Sequence, residues 1–276
     1  MLDASFLSTF VIILRETLEA SLIVGIILAI LARKSEKKYF KDVWLSSFFA
    51  VFASIVVGFG LMALTRSLKG NIAKVIEGVI SIIACGVLTH MLFWMHKESK
   101  KIKSHIEAKI EMALTKGEYF TIITLPFLAI FREGAETVLF LSAIIAKEGV
   151  SVSLAGGIVG FILAVFIAVL IFMFGKKLSL KALFNYTGIF LLFVAAGLLA
   201  YGIHELQEVG IIPEIIYPLW NINHLLNEKI GIGAFLKAIF GYNGNPSLIE
   251  VIFYLGYLIV VIFYIRKDKA CDRKMR

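Results

Sequence analysis

Two five-residue runs in this chain bring together side chains able to hold a cation: Arg15-Glu16-Thr17-Leu18-Glu19 and Arg132-Glu133-Gly134-Ala135-Glu136. On a helix, residues three and four apart share a face. Glu16 and Glu19 therefore project together, as do Glu133 and Glu136. Arg15 lies one turn before Glu19, and Arg132 one turn before Glu136. Four carboxylates and two guanidinium groups, all ionised, sum to a charge of −2. A divalent cation neutralises that cluster, and a trivalent one leaves it at +1. Carboxylate oxygens are hard ligands, suited to Mg, Ca, Mn and, by extension, ferric iron. Held close and empty, four carboxylates repel one another, so an arriving cation is expected to displace protons. The structural alternative is that each arginine only neutralises a neighbouring glutamate, but one arginine does not account for two glutamates.

The elements that carry these runs are residues 6–32 and 120–146, both otherwise apolar. About 20 apolar residues suffice to cross a bilayer. A single charge at the centre of such a helix costs roughly 2.5–3.5 kcal/mol on insertion scales. Three ionisable residues in each of two helices carry that penalty repeatedly, which marks an ion or proton pathway. In the first helix Ser5, Ser8, Thr9, Arg15, Glu16 and Glu19 form one polar stripe, while Thr17 points elsewhere.

Hydrophobic residues make up 59% of the 276 and charged ones 17%, with a mean hydropathy of +0.90. Soluble domains carry about 25% charged residues. The longest polar stretch, 96–118, is too short to bury a core of its own. The expected fold class is therefore all-α: a polytopic transmembrane helical bundle with seven spans. They are read at about 6–32, 43–64, 75–95, 120–146, 152–174, 183–204 and 248–265. One transmembrane domain then covers 1–276. Within it, 1–95 and 120–204 form two three-helix halves, 205–247 an external segment, 248–265 the seventh span and 266–276 a basic tail.

The net charge of +8 follows membrane topology, not nucleic-acid binding. Loops 33–42, 96–119 and 175–182 and the tail from 266 hold 20 of the 28 Lys and Arg, whereas loops 65–74, 147–151 and 205–247 hold 6. The positive-inside rule then sets the N-terminus outside and the C-terminus in the cytoplasm. With three spans per half, spans 1–3 and 4–6 run in opposite directions. The motif opens each half, as in an inverted repeat with a midplane site.

Smaller features fill in this frame. Met1-Leu2-Asp3-Ala4-Ser5 lacks the basic start of a signal peptide, so the first span is expected to stay. Ile102, Ile106, Ile110 and Leu114 recur every four residues, predicting an amphipathic helix on the cytoplasmic interface. Pro126 frees the carbonyl of Ile122 on the face of Glu133 and is expected to kink its span. Gly156 and Gly160 predict close helix packing. Cys85 and Cys271 lie at different depths, so no disulfide or cysteine metal site is expected. His90 reads as a packing residue. Glu77 and Glu208 are candidate ligands at the outer end, and the segment 205–247 around Glu205, Glu208, Glu214 and Glu228 reads as a solvated loop.

Together, the paired runs resemble those of the oxidase-dependent iron permeases, a family that includes fungal high-affinity permeases and bacterial permeases of elemental iron uptake. The resemblance extends to Glu77-Gly78, Phe93-Trp94-Met95, Phe193-Val194-Ala195-Ala196-Gly197, Glu208-Val209-Gly210, Phe240-Gly241-Tyr242 and Pro246-Ser247. It implies iron translocation across the plasma membrane, with Glu16, Glu19, Glu133 and Glu136 as iron ligands and Arg15 and Arg132 as their electrostatic partners. It also implies iron as transported substrate with no permanently bound cofactor, and a separate oxidase- or peroxidase-type delivery partner. Thr17 stands where the family usually has glycine; the expected consequence is altered helix packing and wider spacing of the motif helices. Two other readings use the same residues. A manganese or other divalent-cation permease needs only the carboxylates, and a membrane redox or proton-relay subunit would need facing histidines for haem. No nucleophile set or phosphate-binding glycine loop points to enzymatic work.

Overall fold

A computed structural model describes residues 4–98, 102–148, 150–174, 180–227 and 231–274. The regular elements among the described residues are all helices. These are α1 (Ala4–Arg33), α2 (Phe40–Ser67), α3 (Asn71–Glu98), α4 (Ile102–Lys116), α5 (Tyr119–Glu148), α6 (Val150–Phe174), α7 (Leu180–Glu208), α8 (Gly231–Phe240) and α9 (Leu248–Lys274), with a 3-10 turn at Lys37–Tyr39. Each expected span is a helix, extended by a few residues at its ends. Lys176 and Lys177, Glu228 and Lys229 lie outside the described residues, as do the side chains of Ser5, Trp94, Met95 and Cys271.

Five helical stretches are long and apolar enough to cross a membrane: Lys37–Thr65, Asn71–Phe93, Leu154–Ile171, Thr187–Glu208 and Leu248–Lys267. The chain is thus a multi-pass membrane protein. The shortfall from the seven expected spans lies in α1 and α5. Both run for 30 residues, roughly 45 Å at 1.5 Å per residue. Their three central ionisable residues remove them from any class defined by apolar composition.

α1 and α5 cross at the centre of the bundle. α6 packs along α1, α2 along α5, and α3 along α7. α6 comes so close to α1 that a Cβ on Gly156 would overlap the Phe6 carbonyl, and one on Gly160 would stand 2.6 Å from that of Phe10. These glycines are helix packing, as their spacing implied. α2, α6 and α9 carry outward Phe52, Phe59, Ile158, Ile162, Ile259 and Phe263. An apolar surface this extensive suits lipid rather than water.

One buried cluster joins α1, α3, α5, α7 and α9 around Leu88, Met91, Phe140, Leu191 and Leu198. A second closes the end of the bundle at α4, where Ile106 and Ile110 meet Ile27, Leu31, Val43 and Ile122. The expected amphipathic helix is therefore docked into the bundle. Its Glu107 pairs with Arg33, and Glu111 lies 2.7 Å from Lys34. α5 continues as helix through Pro126, and beside that turn Ser46 of α2 donates to the Ile123 carbonyl at 2.7 Å.

At the opposite end, within the segment 205–247 read as a solvated loop, 209–227 is largely exposed, but residues from the end of α8 to 247 pack back against the bundle. Leu219 N–H donates to the Pro246 carbonyl, Ile222 N–H to that of Gly244, and Leu248 N–H to that of Ile216. α8 packs against α1 and α7. Phe240 stacks edge-on against Phe193 at 4.9 Å, and Gly241, at φ 67°, abuts Gly197. Gly197 lies about three turns below the end of α7, roughly 16 Å along the helix axis. The segment thus dips back between the helices, which irregular backbone does at membrane depth only where protein or water surrounds it.

Candidate metal centre

Where α1 crosses α5, Glu16, Glu19 and Glu133 each present an oxygen within 4.8 Å of the others. The helical offset of three puts Glu16 and Glu19 on one face, and the crossing brings Glu133 against them. Arg15 Nη1 lies 2.7 Å from Glu16 Oε1 and donates to Met91 Sδ of α3, while Arg15 Nη2 lies 2.5 Å from Glu19 Oε1. In α5, Arg132 Nε lies 3.0 Å from Glu136 Oε1 and 3.8 Å from Glu133 Oε1. Each arginine thus pairs with the second glutamate of its run, as the spacing requires, and also stands near the first.

The cluster is buried but incompletely satisfied. Glu16 is 2% exposed and Glu133 4%. Glu16 Oε2, Glu133 Oε2 and Glu136 Oε2 are buried without a hydrogen-bond partner, and so is Thr9 Oγ1 two turns before Glu16. Unpaired buried polar atoms are rare and costly in native structures. A cation among the carboxylates would satisfy them. Glu136 completes the predicted quartet but leans toward Arg132, so three of the four carboxylates converge.

A cavity of about 1350 Å³ runs beside the crossing, bounded by α1, α2, α5 and α6. Glu16, Glu133, Thr17, Gly134 and Ser54 border it, and Glu77 borders it at the α8 end. Thr17, expected to alter helix packing, borders this cavity and not the carboxylate cluster. The Glu77 carboxylate faces the Tyr201 hydroxyl at 3.3 Å, and that hydroxyl also lies 3.2 Å from the Ala146 carbonyl. Glu208 borders neither this cavity nor the smaller one below: Lys74 pairs with it, and His204 Nε2 stands 3.6 Å away. His90 is exposed on α3 and lies apart from the site.

Two residues escaped sequence reasoning. Met91 gave no signal, since a methionine in an apolar span is unremarked until its neighbours are known. Glu250 did carry one. Ser247-Leu248-Ile249-Glu250 is a capping box, with Glu250 N–H donating to Ser247 Oγ at 3.2 Å and Ser247 N–H to Glu250 Oε1 at 3.1 Å. The same carboxylate faces His204 Nδ1 at 3.1 Å and accepts from Asn243 Nδ2 at 2.8 Å. These groups enclose a second cavity of about 250 Å³ with Tyr201, Glu205 and Lys237.

Comparison with known proteins adds a family to this geometry. The iron permease FTR1 family matches residues 6–266. The ferrous iron permease EfeU of Yersinia pestis is 33% identical over 261 residues, 93% of this chain and 92% of that protein. The ferrous iron permease EfeU of Escherichia coli O6:H1 is 32% identical over 252 residues, 91% of each chain. No solved structure matches the chain.

Proposed function

This chain belongs to the iron permease FTR1 family, and we propose that it moves iron inward across the plasma membrane through the carboxylate site at the α1–α5 crossing. Iron transport across a membrane is the family's work. The ligands assigned here are Glu16, Glu19, Glu133 and Glu136, with Arg15 and Arg132 setting the charge. The observation that carries the assignment is the convergence of three carboxylates, two of which, Glu16 and Glu133, keep a buried oxygen without a hydrogen-bond partner. In a chain of this family, iron is the cation that would satisfy them.

A divalent cargo balances the charge of the motif, and the two relatives are named ferrous iron permeases. Both favour ferrous iron at the site. Manganese, also a hard divalent ion, is the competing cargo. Haem-based redox work is not favoured, because His204 is paired with Glu250 and His90 faces away.

The architecture proposed around the site has seven spans, counting α1 and α5, in two inverted halves. Helix pairing supports it: the first helix of each half packs on the second of the other, and the third helices pack together. The Lys and Arg bias places the α4 end in the cytoplasm and the α8 end outside. Glu77, at the mouth of the large cavity, then becomes the outermost ligand, and Glu208 part of the outer surface beside it. The family relationship also supplies the proposal of a separate oxidase- or peroxidase-type partner delivering iron to that face.

The test is radioactive iron uptake into cells lacking their own high-affinity system, with and without reductant and with excess manganese. Uptake should be greatest with reductant, resist manganese, and collapse in Glu19→Gln and Glu136→Gln at matched membrane abundance. Undiminished uptake in both variants would reduce the motif to an ion-paired support.

A further inference from the structure

Tyr201 stands between the two cavities. Its side chain borders the small one. Its hydroxyl lies 3.3 Å from Glu77 Oε2 and 3.2 Å from the Ala146 carbonyl, and Glu77 and Ala146 both border the large one. One side chain of α7 thus reaches α3 and α5 and forms part of the partition between the two spaces.

A phenol carries one proton, so its hydroxyl donates fully to only one acceptor at a time. Both distances exceed the roughly 2.5–3.0 Å usual for such bonds. Neither bond is fully made. The two acceptors also differ in kind. Glu77 is a half-buried carboxylate, able to accept from a donor or to hold a cation. Ala146 lies in the last turn of α5, where carbonyls have lost their helical donors. When a cation takes Glu77, the hydroxyl proton can turn to a carbonyl already within reach. The exchange strands no polar group.

The backbones beside this pair are in direct contact. A Cβ on Gly78 would stand 3.0 Å from the Gly202 carbonyl, and one on Gly202 would stand 2.8 Å from that of Gly78. These glycines directly follow Glu77 and Tyr201 in sequence. At this level the movable parts between α3 and α7 are therefore side chains. We propose that Tyr201 is a positioning residue for Glu77, a latch whose hydroxyl competes with the arriving cation for that carboxylate. The proposal rests on the reading of Glu77 as the outermost ligand and adds the group that holds it before iron arrives.

The experiment is ferrous iron uptake against iron concentration, in reductant, for the parent, Tyr201→Phe, Glu77→Gln and the double variant at matched membrane abundance. Tyr201→Phe keeps the ring and removes the donor. It should lower the half-saturating concentration on the order of fivefold, the worth of one ordinary hydrogen bond, with a smaller change in maximal rate. Loss of a merely structural hydroxyl would not sharpen iron capture. Glu77→Gln should raise the half-saturating concentration. Adding Tyr201→Phe to it should change nothing further, because the contested carboxylate is gone. An unchanged or raised half-saturating concentration in Tyr201→Phe would overturn the latch, and so would a shift that persists in the double variant. If Glu77→Gln raises the value while Tyr201→Phe is silent, only the latch falls. If Glu77→Gln saturates like the parent, Glu77 is no ligand and the latch falls with that reading. Should Tyr201→Phe fail to reach the membrane, Tyr201→Met removes the same hydroxyl with a flexible side chain and is read the same way.

Discussion

The two Arg-Glu-x-x-Glu runs have the same chemistry and different settings. In α1, the Arg15 side chain is fully enclosed, with Glu16 and Glu19 on one side and Met91 on the other. In α5, the Arg132 side chain is 45% exposed and its closest carboxylate is Glu136 alone. The α6 helix closes on the N-terminal half of α1 through its own glycines, whereas α2 closes on the α5 run at Gly134 itself. A duplicated motif has thus become one fixed arm and one open arm. The fixed arm holds two carboxylates against Arg15, and the open arm leaves Arg132 half exposed beside Glu136.

The sharpest way to break this comparison is to remove each arginine in turn. Taking one partner from a buried charge cluster leaves the other charges unpaid by any neighbour, at about 3–5 kcal/mol. Arg15→Ala should therefore lose most folded protein, read as the midpoint of a thermal ramp in detergent. Arg132→Ala, half open to its surroundings, should accumulate in the membrane with a much smaller loss of midpoint and reduced uptake. Equal losses would mean that the two arms are structurally alike and that exposure of Arg132 has no consequence.

A smaller effect separates the two positions that follow the first glutamates. Gly134→Ala drives a methyl into Ser54 and should cost about 1–3 kcal/mol, the usual range for overpacking. Thr17→Ala faces open cavity and should leave the thermal midpoint near that of the parent. Adding Ser54→Gly to Gly134→Ala should recover most of the loss, because the two side chains compete for one space; a double-mutant cycle measures that coupling. If the losses simply add, α2 is not seated on α5 at this point.

How much of this was legible beforehand follows from what each feature depends on. The helices were readable because hydropathy is local, and the boundaries between them because charged and turn residues cluster there. That Glu16 and Glu19 share a face, with Arg15 and Arg132 each reaching the second glutamate of its run, was readable because offsets of three and four on a helix are geometry, not packing. The unequal burial of Arg15 and Arg132 was not, since it depends on which helices cover each run. Thr17 seemed to threaten the approach of α1 to α5, but it borders the large cavity beside the crossing. The segment 205–247 looked like solvated loop because its turns and polar residues are local signals, and 209–227 is indeed largely exposed, while the packing of Phe240 and Gly241 against Phe193 and Gly197 is a contact distant in sequence. Glu250 was readable in principle, because its capping box spans only four residues.

The smallest expected effect tests what holds the fixed arm. Met91 gives Arg15 a sulfur acceptor, and thioether sulfur is a weak one. Leucine matches its volume closely, so Met91→Leu should cost about 1 kcal/mol, within the range of volume-conserving core exchanges. Iron uptake should persist, because Glu16 and Glu19 still restrain the guanidinium. The thermal midpoint of Met91→Leu should therefore fall well short of the loss in Arg15→Ala and below that in Gly134→Ala. A loss as large as that of Arg15→Ala would reverse the reasoning: α3, through its sulfur, would be the true anchor of the arginine. The carboxylates of α1 would then be left as free as those of α5, and the contrast between a fixed arm and an open one would disappear.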